Sequence, residues 1–359
     1  MIKKNFWKGK RVFVTGHTGF KGSWLSIWLK LLGAHVTGYS LKPNTNPSLF
    51  KLTNLTKYID KSYINDVTNL PILKKAIIKS KASILIHLAA QPSVRYSYKN
   101  SYETLKTNIL GSANILEILK GKSNIKSVVM VATDKVYENN EKKINFKENS
   151  PLGGTDIYSA SKASSEILVN AYRSSFFKNK NLNIGSARSG NVIGGGDWTL
   201  DRIVPDCLIS FTQNKKLVIR YPKAIRPWQH VLEPLYGYLL LAEKLYSKNG
   251  ANFSKAWNFG PKKENNTNVL ELAKRLKKIT NSRSKISTST IKNLSEAKYL
   301  YLNSSKSMKL LKWKKILNLD QTLDLINEWH KSFLKKKDLR EITISQIKYF
   351  IKVLNEKKI

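Results

Sequence analysis

Tyr158 and Lys162 stand four residues apart, a short loop beyond Thr133, Asp134 and Lys135. A phenol one helical turn from an ammonium can take a proton from an alcohol while a hydride leaves the same carbon. Tyrosine ionises at about pH 10 in water, so the neighbouring cation is what brings the phenolate within reach. Thr133 is expected to hydrogen-bond the same hydroxyl. Asp134 and Lys135 add a candidate acid and a candidate base for a second proton transfer. A carboxylic acid with a raised pKa can protonate a departing hydroxyl. A lysine serves as a base only where burial or nearby cations keep it neutral. Taken alone, such a Tyr/Lys pair reads as a solvated helix pair, so the upstream sequence decides.

Far upstream runs Gly16-His-Thr18-Gly19-Phe20-Lys21-Gly22, between an apolar run and a helical pattern. Glycines there let the backbone turn tightly against a pyrophosphate, and a helix N-terminus supplies amides and positive potential. Gly16, Thr18, Gly19, Phe20, Lys21 and Gly22 are therefore candidate cofactor contacts. Asp66 and Val67, closing a third strand, are expected beside the adenine. Leu88, Ala89 and Ala90 close a fourth strand with residues that let a cofactor lie near. Asn108 is either a contact near the nicotinamide ribose or a solvated helix residue. The second strand ends without the usual carboxylate. Ser40 and Lys42 stand there instead, which leaves NAD and NADP both open on the residues alone.

The elements that must position these groups alternate as βαβ units, which argues for a doubly wound parallel α/β sheet. Strands are expected at Arg11–Thr15, His35–Tyr39, up to Tyr63–Asp66, Ile84–Leu88, Ser127–Ala132 and Asn183–Ala187. Helices are expected at Ser23–Leu32, Leu70–Ser80, Tyr102–Leu119 and from Tyr158 onward. After Gly190 the pattern changes: residues 194–198 read as a loop, and Leu270–Ile279 and Leu323–Leu334 as helices. Two units follow from this, a dinucleotide-binding domain of 1–190 plus about 230–260, and a smaller lobe of 191–229 and 261–359. The lobe is expected to close over the carboxyl ends of the sheet, where such folds place ligands.

Composition narrows the class. The 359 residues are 41% hydrophobic, and no apolar run approaches the ~20 residues that span a bilayer. The basic start is followed only by Val12–Val14 before polar residues return, too short for a signal-peptide core. A cytoplasmic protein with no membrane partner is expected. The single cysteine, Cys207, excludes an internal disulfide, and five scattered histidines show no metal-ligand pairing. Lysine and arginine number 63 against 24 acids, a net +39, with no acid before Asp60. Such a field attracts polyanions. No nucleic-acid motif accompanies it, so a solvated surface is the reading and no specific nucleic acid is expected.

With these motifs in place, the chain resembles the extended short-chain dehydrogenase/reductases and, within them, the CDP-glucose 4,6-dehydratases. Thr15–Trp24, His87–Pro92, Thr133–Tyr137, Tyr158–Lys162, Arg188–Asn191, Arg226–Val231, Leu302–Lys306 and Trp313 carry the likeness. The resemblance implies a tightly held NAD and a cytidine diphosphate sugar, made into CDP-4-dehydro-6-deoxy-glucose for surface polysaccharides. In that scheme Tyr158 takes the sugar 4-hydroxyl proton as hydride passes from C4 to NAD. Lys162 also holds the nicotinamide ribose. Asp134 protonates the leaving hydroxyl, and hydride returns to C6. Related dTDP-glucose dehydratases carry a glutamate as C5 base where this chain has Lys135. Arg226, Asn191 and Arg202 match phosphate contacts, although Arg202 also reads as a surface charge, and Gln91 and Arg95 are candidates near the sugar. Relatives pair through helices like Tyr102–Leu119 and Tyr158–Phe176, so a homodimer or homotetramer is expected. Two other readings remain, a nucleotide-sugar 4-epimerase and a catalytically silent basic Rossmann protein that binds nucleotide or RNA.

Overall fold

Seven parallel strands form the central sheet of the computed structural model, which describes residues 2–121, 123–139, 144–178, 180–261, 267–289 and 299–357. Their spatial order is Ala256–Phe259, Asn183–Ser189, Ser127–Thr133, Ile84–His87, Arg11–Thr15, His35–Ser40 and Lys61–Ile64. Val12 lies opposite Val36 on one side and Ile84 on the other, and Ser127 lies opposite Ile84 and Asn183. Alternate residues feed two apolar layers, as strand geometry requires. Val12, Val14, Ile84 and Ile86 face one layer, with Trp24 and Trp28. Phe13, Leu85 and Val128 face the other, with Leu73, Ile77 and Ile115. A sheet covered on both faces needs nearly continuous apolar strands, and Ile84–His87 is buried at every position. Strand order reverses between Arg11–Thr15 and Ile84–His87. That is where a doubly wound fold opens a crevice.

The helix after the first strand spans Phe20–Leu31, beginning three residues before its apolar face does. Gly19 caps it in extended geometry without a side chain. The expected Tyr102–Leu119 helix runs as Ser101–Leu105, a π-helical turn Lys106–Leu110 and Gly111–Lys120. Leu232–Tyr246 was not legible as a helix because it is apolar nearly all round and has no stripe. It covers the sheet, where the Ser127 hydroxyl donates to the Ala242 carbonyl at 2.9 Å.

A second apolar cluster joins helices Ile203–Thr212, Val269–Ile279 and Leu319–Leu334 to the paired strands Leu217–Ile219 and Ile286–Thr288. Val204, Phe211, Leu272, Leu276 and Ile326 lie at its centre. The last helix, Leu339–Glu356, returns to the sheet layer, with the Phe350 and Trp28 rings edge-on at 5.6 Å.

The glycine turn is the tightest point of the fold. Gly16 has φ of +76°, and a Cβ there would lie 2.7 Å from the Ala89 amide nitrogen. A Cβ on Gly22 would lie 2.0 Å from the Gly16 carbonyl oxygen, a backbone atom that cannot rotate away. Gly22→Ala is therefore expected to distort the turn at a cost of about 1–3 kcal/mol. Calorimetry with NAD should show ~10–100-fold weaker binding than wild type. Unchanged affinity would contradict the assignment of the turn.

Candidate active site

The first turn of Phe20–Leu31 has no capping side chain and no acidic residue, so its amides and dipole are open to an anion. The absent Cβ atoms of Gly16 and Gly22 let the turn close against Ala89 and its own backbone, and Gly19, whose Cβ would meet only the Gly16 carbonyl oxygen at 3.4 Å, leaves the helix start bare, which fits a dinucleotide pyrophosphate. Thr15 ties the two strand ends together. Its oxygen accepts from the amides of Leu88 and Ala89 at 3.1 and 3.2 Å, and it meets His87 Nδ1 at 2.7 Å. Burial drives the His87 pKa down to about 3, so the ring is neutral and Thr15 donates to it. Phe20 offers its backbone to the turn, since its ring packs against Gly194.

Several candidate contacts are used elsewhere by the protein. The Thr18 hydroxyl donates to the Leu41 carbonyl at 2.8 Å, so the 2.8 Å contact with Ser40 must be donated by Ser40. Thr18 thus braces the end of the second strand, and its hydroxyl does not serve the pyrophosphate. Asn108 is not a solvated helix residue; it is buried, and its side chain bonds the backbone just beyond the fourth strand. Its Oδ1 accepts from the Gln91 amide at 2.8 Å, and its Nδ2 donates to the Gln91 carbonyl and the Ser161 hydroxyl at 3.2 and 2.8 Å. Gln91 turns away from the sugar site. Its Nε2 donates to the Ser93 carbonyl and the Thr104 hydroxyl, and its Oε1 accepts from the Ser93 amide. Asn108 thus ties the fourth strand's exit to the Tyr158 helix through Ser161, while the Gln91 side chain ties it to Thr104 of Ser101–Leu105. Asp66 holds its own turn, with Oδ1 accepting from the Thr68 amide at 2.8 Å and its carbonyl accepting from the Tyr39 hydroxyl at 3.0 Å. The Val67 side chain is buried in the core.

A cavity of about 300 Å³ opens at the carboxyl ends of Ser127–Thr133 and Asn183–Ser189. Thr133, Asp134, Lys135 and Tyr158 line it, as do Lys21, Arg95, Asn191, Arg202 and Arg226. Tyr158 is the second residue of the helix Ile157–Tyr172, which Asp156 caps by accepting from the Ser159 amide at 2.9 Å. Lys162 follows one turn on, and both are buried. Burial pushes the Tyr158 phenol up to about 12, against a hydrogen bond from Thr133, while Asp134 adds to the rise and Arg202 opposes it. The Lys162 Nζ donates to the Val131 carbonyl at 3.1 Å. Burial lowers Lys162 to about 8, with Glu166 opposing. Desolvation lowers Lys21 to about 7, with Arg202 and Lys162 adding and the carboxylates of Asp134 and Asp197 opposing.

Asp134 sits in the tight turn after Thr133, whose hydroxyl donates to its Oδ1 at 3.0 Å. Its Oδ2 is buried without a partner among the described residues. Burial raises this carboxyl above the usual range, with Lys135, Thr133 and Arg226 opposing. Gly190 makes the seat, because a Cβ there would lie 2.8 Å from Oδ2. Arg226 is buried beside it, donating to the Ile225 carbonyl at 3.0 Å. Arg202 pairs with Asp197 at 3.0 Å, and Arg95 pairs with Asp201 at 3.0 Å.

Sequence reasoning passed over Glu166, Arg188, Asp201, Asp206 and Arg220. Glu166 and Arg188 form a buried ion pair of 2.8 Å behind Lys162. Arg220 shares the Asp201 carboxylate with Arg95, at 2.9 Å. Only the four-residue spacing of Arg202 and Asp206 was visible, a signal that they share a helix face. Among the described residues no cluster of histidine, cysteine or acids could hold a metal ion, and no helix is long and apolar enough to cross a membrane.

Comparison with known proteins extends the geometry. Residues 13–326 match the family described as GDP-mannose 4,6 dehydratase. Over 344 residues the chain is 45% identical to the CDP-glucose 4,6-dehydratase of Salmonella typhimurium, covering 94% of this chain and 95% of that protein. The UDP-glucose 4-epimerase of Thermotoga maritima, solved with UDP-glucose, superposes with a TM-score of 0.78 at 23% identity, over 90% of this chain and 99% of that one. The dTDP-glucose 4,6-dehydratase of Bacillus anthracis, in complex with NAD, gives 0.76 at 20% identity, over 92% and 100%. At such identities the two structures speak for the fold alone.

Proposed function

Because the chain belongs to the GDP-mannose 4,6 dehydratase family, we propose that it converts CDP-glucose to CDP-4-dehydro-6-deoxy-glucose and water, with NAD as its resident cofactor. The observation that carries this reading is Asp134, a buried carboxyl with a raised pKa and one unpartnered oxygen, in the same cavity as Tyr158. An epimerase needs the tyrosine but has no task for such an acid.

When bound, NAD would supply the hydride acceptor for C4 of the sugar and the hydride donor for C6. The turn of Gly16, Gly19 and Gly22 would hold its pyrophosphate, with the amides of Phe20 and Lys21. Tyr158 removes the 4-hydroxyl proton. Thr133 has one hydroxyl hydrogen, which serves Asp134 while that carboxyl is ionised and the phenolate once the carboxyl is protonated. The acid form of Asp134 and the base form of Tyr158 thus favour each other. Ketone formation at C4 acidifies the C5 hydrogen, and Asp134 then delivers its proton to the departing C6 hydroxyl. Lys135, on the same turn, would in its neutral form take the C5 proton and return it to C5 as hydride reaches C6. Lys162 holds the ribose while its Nζ keeps the Val131 carbonyl. Arg226, Arg202, Asn191 and Arg95 receive the diphosphate and sugar.

In this reading residues 1–190 and about 230–260 carry the cofactor, while 191–229 and the segment from 261 carry the nucleotide sugar. The last helix braces the cofactor layer. The enzyme works in the cytoplasm, supplying a precursor of polysaccharides. Two copies pair through the helices that expose Tyr102, Leu110, Ile167 and Phe176.

Incubation with NAD and a panel of CDP-, UDP-, dTDP- and GDP-glucose tests the reading. Mass spectrometry should show loss of one water from CDP-glucose; an unchanged mass with an inverted C4 would make it an epimerase. Tyr158→Phe should lower turnover ~10²–10⁴-fold with NAD affinity kept, and near wild-type turnover would overturn its role. Asp134→Asn should accumulate CDP-4-keto-glucose and slow water loss by a similar ~10²–10⁴-fold. Dehydration at the normal rate would put the acid elsewhere.

A further inference from the structure

The cavity is also lined by the first turn of Ile203–Thr212, the end of Leu217–Ile219 and Val269. Val204, Pro205, Ile219 and Val269 give it apolar walls. Asp197 and Asp201 also line the cavity but are held by Arg202, Arg95 and Arg220, whereas Asp206 beside these walls has no such ion pair among the described residues. Asp206 follows Arg202 by one helical turn, its amide donating to the Arg202 carbonyl at 3.0 Å. One turn advances ~5.4 Å, and Arg202, the extended cap of this helix, lines the same cavity as Asp206. A ligand whose phosphate meets Arg202 therefore presents its next group near Asp206.

No protein hydrogen bond reaches the Asp206 carboxyl among the described residues. Only burial, the Arg220 charge and the Asp201 charge act on it. Arg220 is already committed to Asp201, through contacts of 2.9 Å to the carboxylate and 3.1 Å to the carbonyl. Asp206 is half-buried at the cavity wall, so its carboxyl is open to solvent or to a ligand rather than tied to the protein. An anionic phosphate would be repelled. The apolar walls suit the faces of a base better than a ribose, and an ionised carboxylate is an acceptor only, so it selects a donor edge. Cytosine presents an amine at C4, where uracil and thymine present an oxygen.

Resting on the nucleotide-sugar reading above, we propose that Asp206 reads the base, its carboxylate accepting the exocyclic amine of cytosine and rejecting uridine and thymidine nucleotides. Burial raises the carboxyl only to about 6, against Arg220 and helped by Asp201, so it is ionised at neutral pH.

Titration calorimetry of the NAD-loaded protein with CDP and with UDP tests this without turnover. Wild type should prefer CDP by ~10–100-fold, the discrimination one base-edge contact supplies. Asp206→Asn should lower that ratio at least ~10-fold, with UDP binding more tightly because the amide can donate to O4. Asp206→Leu should weaken CDP without strengthening UDP. A wild-type ratio in both variants would overturn the proposal. Equal weakening of CDP and UDP would also overturn it, assigning Asp206 to the ribose or to structure. A wild type that binds CDP selectively but dehydrates no nucleotide-glucose would sink the dehydratase reading alone. Dehydration of CDP-glucose with an unmoved ratio would sink only the role of Asp206.

Discussion

Desolvation at the carboxyl ends of the sheet is the constraint on which the site depends. Tyr158, Lys162 and Asp134 are buried in or beside one cavity, and burial moves each pKa toward its neutral form. For Asp134 this is the acid a leaving hydroxyl needs. For Tyr158 it is the wrong direction, since a phenol near 12 is a poor base. The phenolate must therefore be favoured by Thr133 and Arg202, and by the positive charge a nicotinamide brings when bound.

Keeping those groups in register falls to side chains that touch no ligand. Glu166 accepts from the Arg188 guanidinium and the Ser186 hydroxyl, both at 2.8 Å, and so pins the Tyr158 helix to the sheet. Arg188 reaches on to the Tyr137 hydroxyl at 2.9 Å, which donates to Asn258 on the outermost strand at 2.7 Å. A buried ion pair adds little net stability, because desolvation offsets its attraction. Its effect here is positional. Asn108 and Gln91 do the same from the other side of the helix.

These networks explain what could be read from sequence. The strands Ile84–His87 and Ser127–Thr133 were legible because a covered parallel sheet writes continuous apolar runs. The Leu232–Tyr246 helix and the strand Ala256–Phe259 were not, the first lacking a polar face and the second being short and paired with residues about seventy positions earlier. Gly16, Asp134, Tyr158 and Arg226 announced themselves through motifs. Thr18, Gln91 and Asn108 hold protein partners 13 to 53 residues away, and such tertiary contacts, which decide where an amide or hydroxyl turns, are not written in local sequence. Asp206 belonged to no motif. Its meaning comes from the cavity around it.

The central claim is that one site oxidises C4, expels water across C5 and C6, and completes its redox cycle at C6 without an outside reductant. CDP-glucose carrying deuterium on C4 tests this directly, with the product's label located by NMR. The account predicts deuterium on C6 of the 6-deoxy sugar, in nearly every product molecule. Deuterium lost to solvent, or retained on C4, would contradict it.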